Sequence, residues 1–281
     1  MSAWLVAFVA LVIGGLLTAL LALAANKLYQ QQLAQRFELL ANERYSRIEE
    51  RLQDQVQRLD GLRRFFVYAE EITLDEFDGY VGPLLHRAQA YSWAPRVSDA
   101  ERPAFEQRER KLLGAAFAIR ELGEGGVLQP SRVRPLYYPV LFSQTRNQLP
   151  PPLGFDLLSQ AVRGETLRRA ASPGSMAVSA PLDLIGVEPD YARGMLMVAP
   201  VFAVDASAGE PKGYVMTVLS MRQLMADGLP KASLDNLVVR ILDLSAQAGP
   251  EALFQSGNEA ADSPLRVLKV LYLACLLYTS D

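Results

Sequence analysis

Cysteine and histidine are almost missing: the chain has one of each, Cys275 and His86, in 281 residues. A single thiol excludes any intrachain disulfide and any metal site built on thiolates. A single imidazole leaves serine triads, His-rich zinc sites and histidine acid–base relays resting on one residue. His86 sits in "GPLLHRAQ", between leucines and an arginine, and no glycine-rich nucleotide loop follows it. That context reads as a partly exposed histidine rather than a phospho-acceptor or general base. Neither sign of charge dominates, since 28 basic and 31 acidic side chains leave a net charge of −3. A nucleic-acid surface needs clustered Lys and Arg, so none is expected. Glu49/Glu50 and Glu70/Glu71 lie on helices among basic residues as solvated faces, and no carboxylate pair stands apart as acid and base. Asp183, Asp190 and Asp205 fall in loops without metal-ligand spacing. "GEGG" at 123–126 is a tight turn without the lysine of a phosphate loop. The sequence lacks an enzyme's toolkit, and no cofactor or metal is expected.

What is present begins with "AWLVAFVALVIGGLLTALLALAA", Ala3–Ala25, a run without a charge. At 1.5 Å per residue it is long enough to cross a hydrocarbon core of about 30 Å. A cleaved signal peptide is the alternative, but no Lys or Arg precedes the run and the run is too long. The nearest basic residues, Lys27 and Arg36, follow it, so charge leaves the sidedness open. Residues 26–70 then carry Leu33, Phe37, Leu40, Ile48, Leu52, Val56, Leu59, Leu62 and Phe66 at steps of three and four, one apolar stripe on a long helix. Its C-terminal half is expected to pack on the domain that follows. Residues 28–55 are expected to pair with a second copy as a stalk.

From residue 71 the texture changes to short mixed elements. "TLDEFDGYV" reads as a capped helix starting at Thr73 or Asp75, and "SDAERPAFEQRERKLLG" as a helix capped by Ser98 or Asp99. "AAFAIREL", "YYPVLFS", "RGMLMVAPVFAV" and "KGYVMTVLS" read as strands separated by turn-rich loops. Pro139 and Pro200 should mark a strand start, edge or bulge, because proline removes a ladder donor. Without βαβ alternation the fold class is α+β, an antiparallel sheet with helices to one side. "SMRQLMADGL" is a short helix, and "LDNLVVRILDLSAQAGPEALFQSG" the first two strands of a new unit. That unit, residues 223–270, is expected to be incomplete, and residues 271–281 to be read-through.

One stretch raises a sharper question. "PLGFDLLSQAVRGETLRRA", residues 152–170, brings Asp156 by a glycine turn to the expected start of an amphipathic helix. As a cap, Asp156 would accept the backbone N–H of Leu158 or Ser159, a role worth about 1 kcal/mol. The helix would set Leu157, Leu158, Ala161, Val162 and Leu167 on a core face against Arg163, Arg168 and Arg169 on a wet one. A ligand-facing role for Asp156 stays open beside the cap.

The order of features resembles the CHASE family, the extracytoplasmic sensory domains of bacterial histidine kinases and diguanylate cyclases and of plant cytokinin receptors. The residues that carry the resemblance run from Ser92 to about Leu224: "SWAPRVSDAERPAFEQRER", "YYPVLFSQ", "LGFDLLSQAVRGETLRRAASPG", "SAPLDLIG", "APVF" and "GYVMTVLSMRQL". The resemblance implies a stalk helix, a membrane-distal PAS-like domain over residues 71–222, and the start of a membrane-proximal PAS-like one. It implies a dimeric periplasmic module in the cell membrane that binds a small organic molecule and signals to a kinase or cyclase. In cytokinin receptors the aspartate matching Asp156 accepts a hydrogen bond from the ligand, and Tyr138, Phe142, Leu184, Ile185 and Val198 fall in pocket-forming blocks. Val198 departs from the receptors, which carry a hydroxyl residue near there, so cytokinin itself is not the expected ligand. An anchored hydrolase or a ligand-free scaffold are the rival readings.

Overall fold

The structure is a computed structural model that describes residues 3–69, 71–88, 90–146, 152–171, 175–185, 192–204, 210–226, 238–244, 251–256 and 265–271. The chain falls into two compact units, Met1–Glu49 with Ala260–Val270 and Glu50–Glu259 with Leu271–Asp281. The helices are α1 (Ala3–Tyr68), α2 (Leu74–Val81), α3 (Arg102–Leu113), α4 (Ala161–Arg169) and α5 (Met221–Ala226). The strands are β1 (Ala90–Pro95), β2 (Val97–Ser98), β3 (Arg120–Leu122), β4 (Leu128–Pro130), β5 (Leu136–Tyr137), β6 (Phe142–Thr145), β7 (Ala177–Val178), β8 (Leu182–Asp183), β9 (Arg193–Val201), β10 (Gly213–Leu219), β11 (Arg240–Asp243) and β12 (Glu251–Gln255).

α1 runs unbroken for 66 residues. Its most apolar stretch has a mean hydropathy of 2.6, enough in length and composition to cross a membrane. Leu11, Leu16, Leu20 and Leu23 are all exposed there, as on a helix apolar all round.

In the second unit the largest sheet is antiparallel in the order β6-β1-β10-β9-β7, with β8 also on β9. Alternation divides its side chains between two faces. Along β1, Ala90, Ser92 and Ala94 share one face, Tyr91 and Trp93 the other. The register carries this split across the sheet: Ser92 lies opposite Ser143 and Met216, and Trp93 opposite Phe142 and Val215. The Trp93 face receives the end of α1, where Leu59, Leu62 and Phe66 are buried and Phe66 stacks on Trp93 at 4.2 Å between centroids. Phe77 of α2 joins them 5.6 Å from Phe142. Gly213 belongs to this packing, because a Cβ there would enter the Trp93 ring. On the other face Phe155, Leu157, Leu167, Leu196 and Met216 form a second core together with Tyr138 and Val198.

Several expectations are met in detail. Thr73 and Glu76 form a reciprocal capping box at the start of α2. Pro200 lies in β9 beyond Val198, past the last residue that β9 shares with β7, where a lost donor breaks no pair. Other expectations are corrected. α3 has Glu101 as its N-cap rather than Ser98 or Asp99; Ser98 sits in β2 and donates its hydroxyl and its N–H to Glu101. "YYPVLFS" is two strands, β5 and β6, interrupted at Pro139, which forms only an isolated bridge with Asp156. "AAFAIREL" contributes only β3. Leu52 and Gln55, expected in the free part of the stalk, are buried, and Gln55 accepts a hydrogen bond from Tyr91 at 3.2 Å. His86 falls in the 3-10 turn Gly82–Arg87 with its side chain outside the described residues, as are Asp190, Asp205 and residues 272–281.

Candidate ligand site

Gly154, at φ +81°, turns the chain where a side chain would collide with the Ala118 carbonyl. The next residues are pinned between two segments: Asp156 N–H donates to the Arg120 carbonyl at 2.8 Å and Leu157 N–H to the Tyr138 carbonyl at 3.1 Å. Extended backbone sends alternate side chains to opposite sides. Phe155 and Leu157 therefore face the core beneath the sheet, and Asp156 turns away from it.

There, fully buried, Asp156 accepts two hydrogen bonds at Oδ1, from Tyr138 N–H at 3.0 Å and Leu158 N–H at 3.1 Å. It is a cap, but of the 3-10 turn Leu157–Ser159. The expected continuous helix is broken. Ser159 donates its hydroxyl back to the Asp156 carbonyl, Gln160 is extended, and α4 starts afresh at Ala161. Oδ2 has no hydrogen bond among the described residues and lies 3.5 Å from Nη1 of Arg134. That arginine is committed elsewhere, with Nη2 2.6 Å from Glu121. Burial accordingly pushes the Asp156 carboxyl above its ordinary range, against the pull of the two backbone donors and Arg134. Burial also raises Glu121, but its hydrogen bond to Arg134, the Arg132 N–H and both positive charges outweigh this and hold it low.

On the other side of Phe155 and Leu157 lies a cavity of about 40 Å³. Its apolar wall includes Leu184, Ile185, Leu196 and Met216. Its polar wall is Ser92, Ser143, Thr145 and Arg163. Ser92 and Ser143 share a hydrogen bond of 2.8 Å across β1 and β6. Arg163, read from sequence as part of a wet face, is only 6 % exposed, whereas Val162, read as core, is 40 % exposed. The helix is turned so that the arginine packs inward, over the Phe155 ring at 5.3 Å, and donates to the Asp183 carbonyl at 2.9 Å. Burial lowers its pKa to about 10, so it stays cationic at neutral pH.

The six residues singled out in the sequence are thus dispersed. Leu184 and Ile185 line the cavity. Tyr138 and Val198 belong to the surrounding core without reaching the lining; Tyr138 packs edge-on against Tyr214, and burial pushes its hydroxyl up to about 12. Phe142 lies on the opposite face, toward α1 and α2, because it pairs with Trp93. Asp156 stands behind the cavity wall. The polar lining was missed. Alternation in "AYSWAP" puts Ser92 on a face with two alanines and gives a weak signal for it. Nothing local marks Arg163, whose burial depends on Phe155 and Asp183.

No curated protein matches the chain. The family model of the CHASE domain matches residues 70–254, which takes in the whole sheet, the cavity and Asp156. CHASE domains are extracellular sensor modules of membrane receptors, which agrees with an apolar helix ahead of the matched residues. The chain belongs to the CHASE domain family.

Proposed function

We propose that the second unit is a periplasmic small-molecule sensor anchored in the cell membrane through residues 3–25, and that it reports occupancy of the cavity through the central sheet. One observation carries this reading. β1 places Ser92 in the cavity wall and the adjacent Trp93 against Phe66 of α1, so anything that shifts β1 on one face is felt by the stalk helix on the other. Leu184 and Ile185 are wall residues in this reading. Asp156 holds Phe155 and Leu157 in place, and Tyr138 and Val198 form the packing behind them. The PAS-like assignment of residues 71–222 is part of the proposal, supported by an antiparallel sheet whose first and last long strands, β1 and β10, pair at its centre. So are a second such unit from residue 223 and a kinase or diguanylate cyclase output. An anchored hydrolase or a ligand-free scaffold has no comparable support.

A thermal-shift screen of the full chain in detergent, wild type beside Ala90→Leu, tests the reading. Ala90 lines the cavity, so leucine there fills it. Compounds that raise the wild-type melting temperature but not the variant's are expected. If no compound separates the two proteins, the sensing assignment fails. Pairing through the stalk belongs to the same proposal, since Leu33 and Leu40 of the apolar stripe are exposed. Crosslinking should trap a dimer that Leu33→Glu with Leu40→Glu abolishes. An unchanged crosslinked band would remove the stalk from the proposal.

A further inference from the structure

We propose that the cavity takes a small organic monocarboxylate, its carboxylate bound by the guanidinium of Arg163 and its apolar body by Leu184, Leu196 and Met216. The proposal rests on the small-molecule reading above and names the chemistry of the ligand.

Arg163 is as buried as the leucines around it, yet among the described residues no carboxylate lies within ion-pair distance of it. The acid closest in the chain's packing is Asp183, which gives its backbone carbonyl; its carboxylate is 88 % exposed and turned to Arg193 at 3.3 Å. A guanidinium carries five N–H donors, and one hydrogen bond with one ring contact leaves most of that capacity unused, while the Asp183 carboxylate acts on its charge only from beyond ion-pair distance. The helix does not explain the placement either. Arg163 is in the first turn of α4; that turn holds no acidic residue, and the helix cap contributes no side-chain hydrogen bond. That is the positive end of the helix, where anions are favoured and cations are not. A buried cation at the positive end of a helix, aimed into a cavity, is poorly suited to stabilising the fold and well suited to an anion.

The rest of the wall narrows the choice. Ser92 and Ser143 offer hydroxyls to the second carboxylate oxygen or to the guanidinium. Apart from Thr145 the remaining wall is apolar, and among the described residues Arg163 brings the only full charge, so a monoanion is balanced where a phosphate dianion would stay half-neutralised. A carboxylate also matches the planar guanidinium in a two-pronged hydrogen bond. The small volume calls for a short or flat body. The charge for recognition is therefore a cation, whereas the family resemblance pointed to the carboxylate of Asp156.

The experiment uses the full chain in detergent and three matched pairs: acetate and acetamide, butyrate and butyramide, benzoate and benzamide. Each pair keeps its shape and differs in charge. Thermal shift and titration calorimetry should show butyrate or benzoate binding wild type at least tenfold more tightly than its amide. Arg163→Met should remove that preference, and Arg163→Lys, which keeps the charge without the fork, should retain part of it. Equal binding of acid and amide to wild type would overturn the proposal while leaving a small-molecule sensor in place, and needs no variant. Binding of neither series would overturn it too; the Ala90→Leu screen then decides separately whether the sensing reading falls with it.

Discussion

The two faces of the central sheet are built from the same strands and are stabilised in different ways. The face toward α1 is aromatic and closed: Phe66, Phe77, Trp93 and Phe142 interlock with centroid distances of 4.2 to 6.2 Å, and Gly213 is kept small to admit the Trp93 ring. The opposite face mixes aliphatic side chains with Phe155, Tyr138 and hydroxyl groups, holds a cavity, and includes a cation that no carboxylate among the described residues pairs with. Close packing of large rings transmits displacement, because a well-packed interior has no slack. A cavity beside an unmatched charge costs stability and leaves room for a ligand. The closed packing and the cavity are thus separated by one residue step along β1, at Trp93 and Ser92.

The largest effect should come from breaking the closed face. Phe66→Ala removes a ring that is 4 % exposed and stacked on Trp93, and should cost about 3–5 kcal/mol, as full truncation of a core aromatic does. Chemical denaturation of the full chain in detergent measures it. A loss below about 1 kcal/mol would mean that α1 only rests on the sheet, the level of a surface substitution.

Asp156 comes next, since it fixes the wall of the open face from behind. Asp156→Ala leaves the N–H groups of Tyr138 and Leu158 buried without an acceptor, a loss of about 2–3 kcal/mol. Asp156→Asn retains an acceptor and should lose less than half as much. The ionisation has its own signature. The folded-state pKa of Asp156 is raised above its ordinary 3.8, so the folded chain binds the proton more tightly than the unfolded one. Its contribution to stability is then full below that ordinary value and is lost as pH rises through the raised one. Glu121, held low by Arg134, contributes in the opposite sense above its ordinary 4.5. Subtracting the pH–stability curve of Asp156→Asn from that of wild type isolates the first slope. A difference that grows with pH would mean that Arg134 pairs with Asp156 rather than with Glu121.

The closed face was more legible in the sequence than the open one. Leu59, Leu62 and Phe66 recur at helical steps, and the stripe they form depends on local periodicity alone. The capping box at Thr73 and the strand around Gly213–Leu219 are local signals as well. The open face depends on contacts between segments far apart. Asp156 looked like the first residue of a long helix because Ser159 and Gln160 do not forbid one; the bond from Ser159 back to the Asp156 carbonyl decides otherwise. Arg163 counted as polar in the helical pattern, which put Val162 inside, whereas Phe155 and the Asp183 carbonyl draw the guanidinium in. Helical periodicity places charges at the surface, and a buried one such as Arg163 escapes it.

The smallest effect is the most telling. Arg163→Met, with no ligand present, should leave the melting temperature unchanged or raise it. Truncating a buried cation normally removes a paired partner and strands an acid, at a large cost. Here no acid among the described residues is stranded, because Asp183 keeps Arg193. The substitution gives up one hydrogen bond to a backbone carbonyl and a ring contact, and removes both the desolvation of a charge and its repulsion from the positive end of α4. Methionine nearly matches the volume and is flexible enough to lie along Phe155. A protein that is no less stable but has lost its preference for carboxylates would show a residue maintained for recognition at the expense of the fold. A drop of several degrees would instead place Arg163 with Phe66, as part of what holds the domain together.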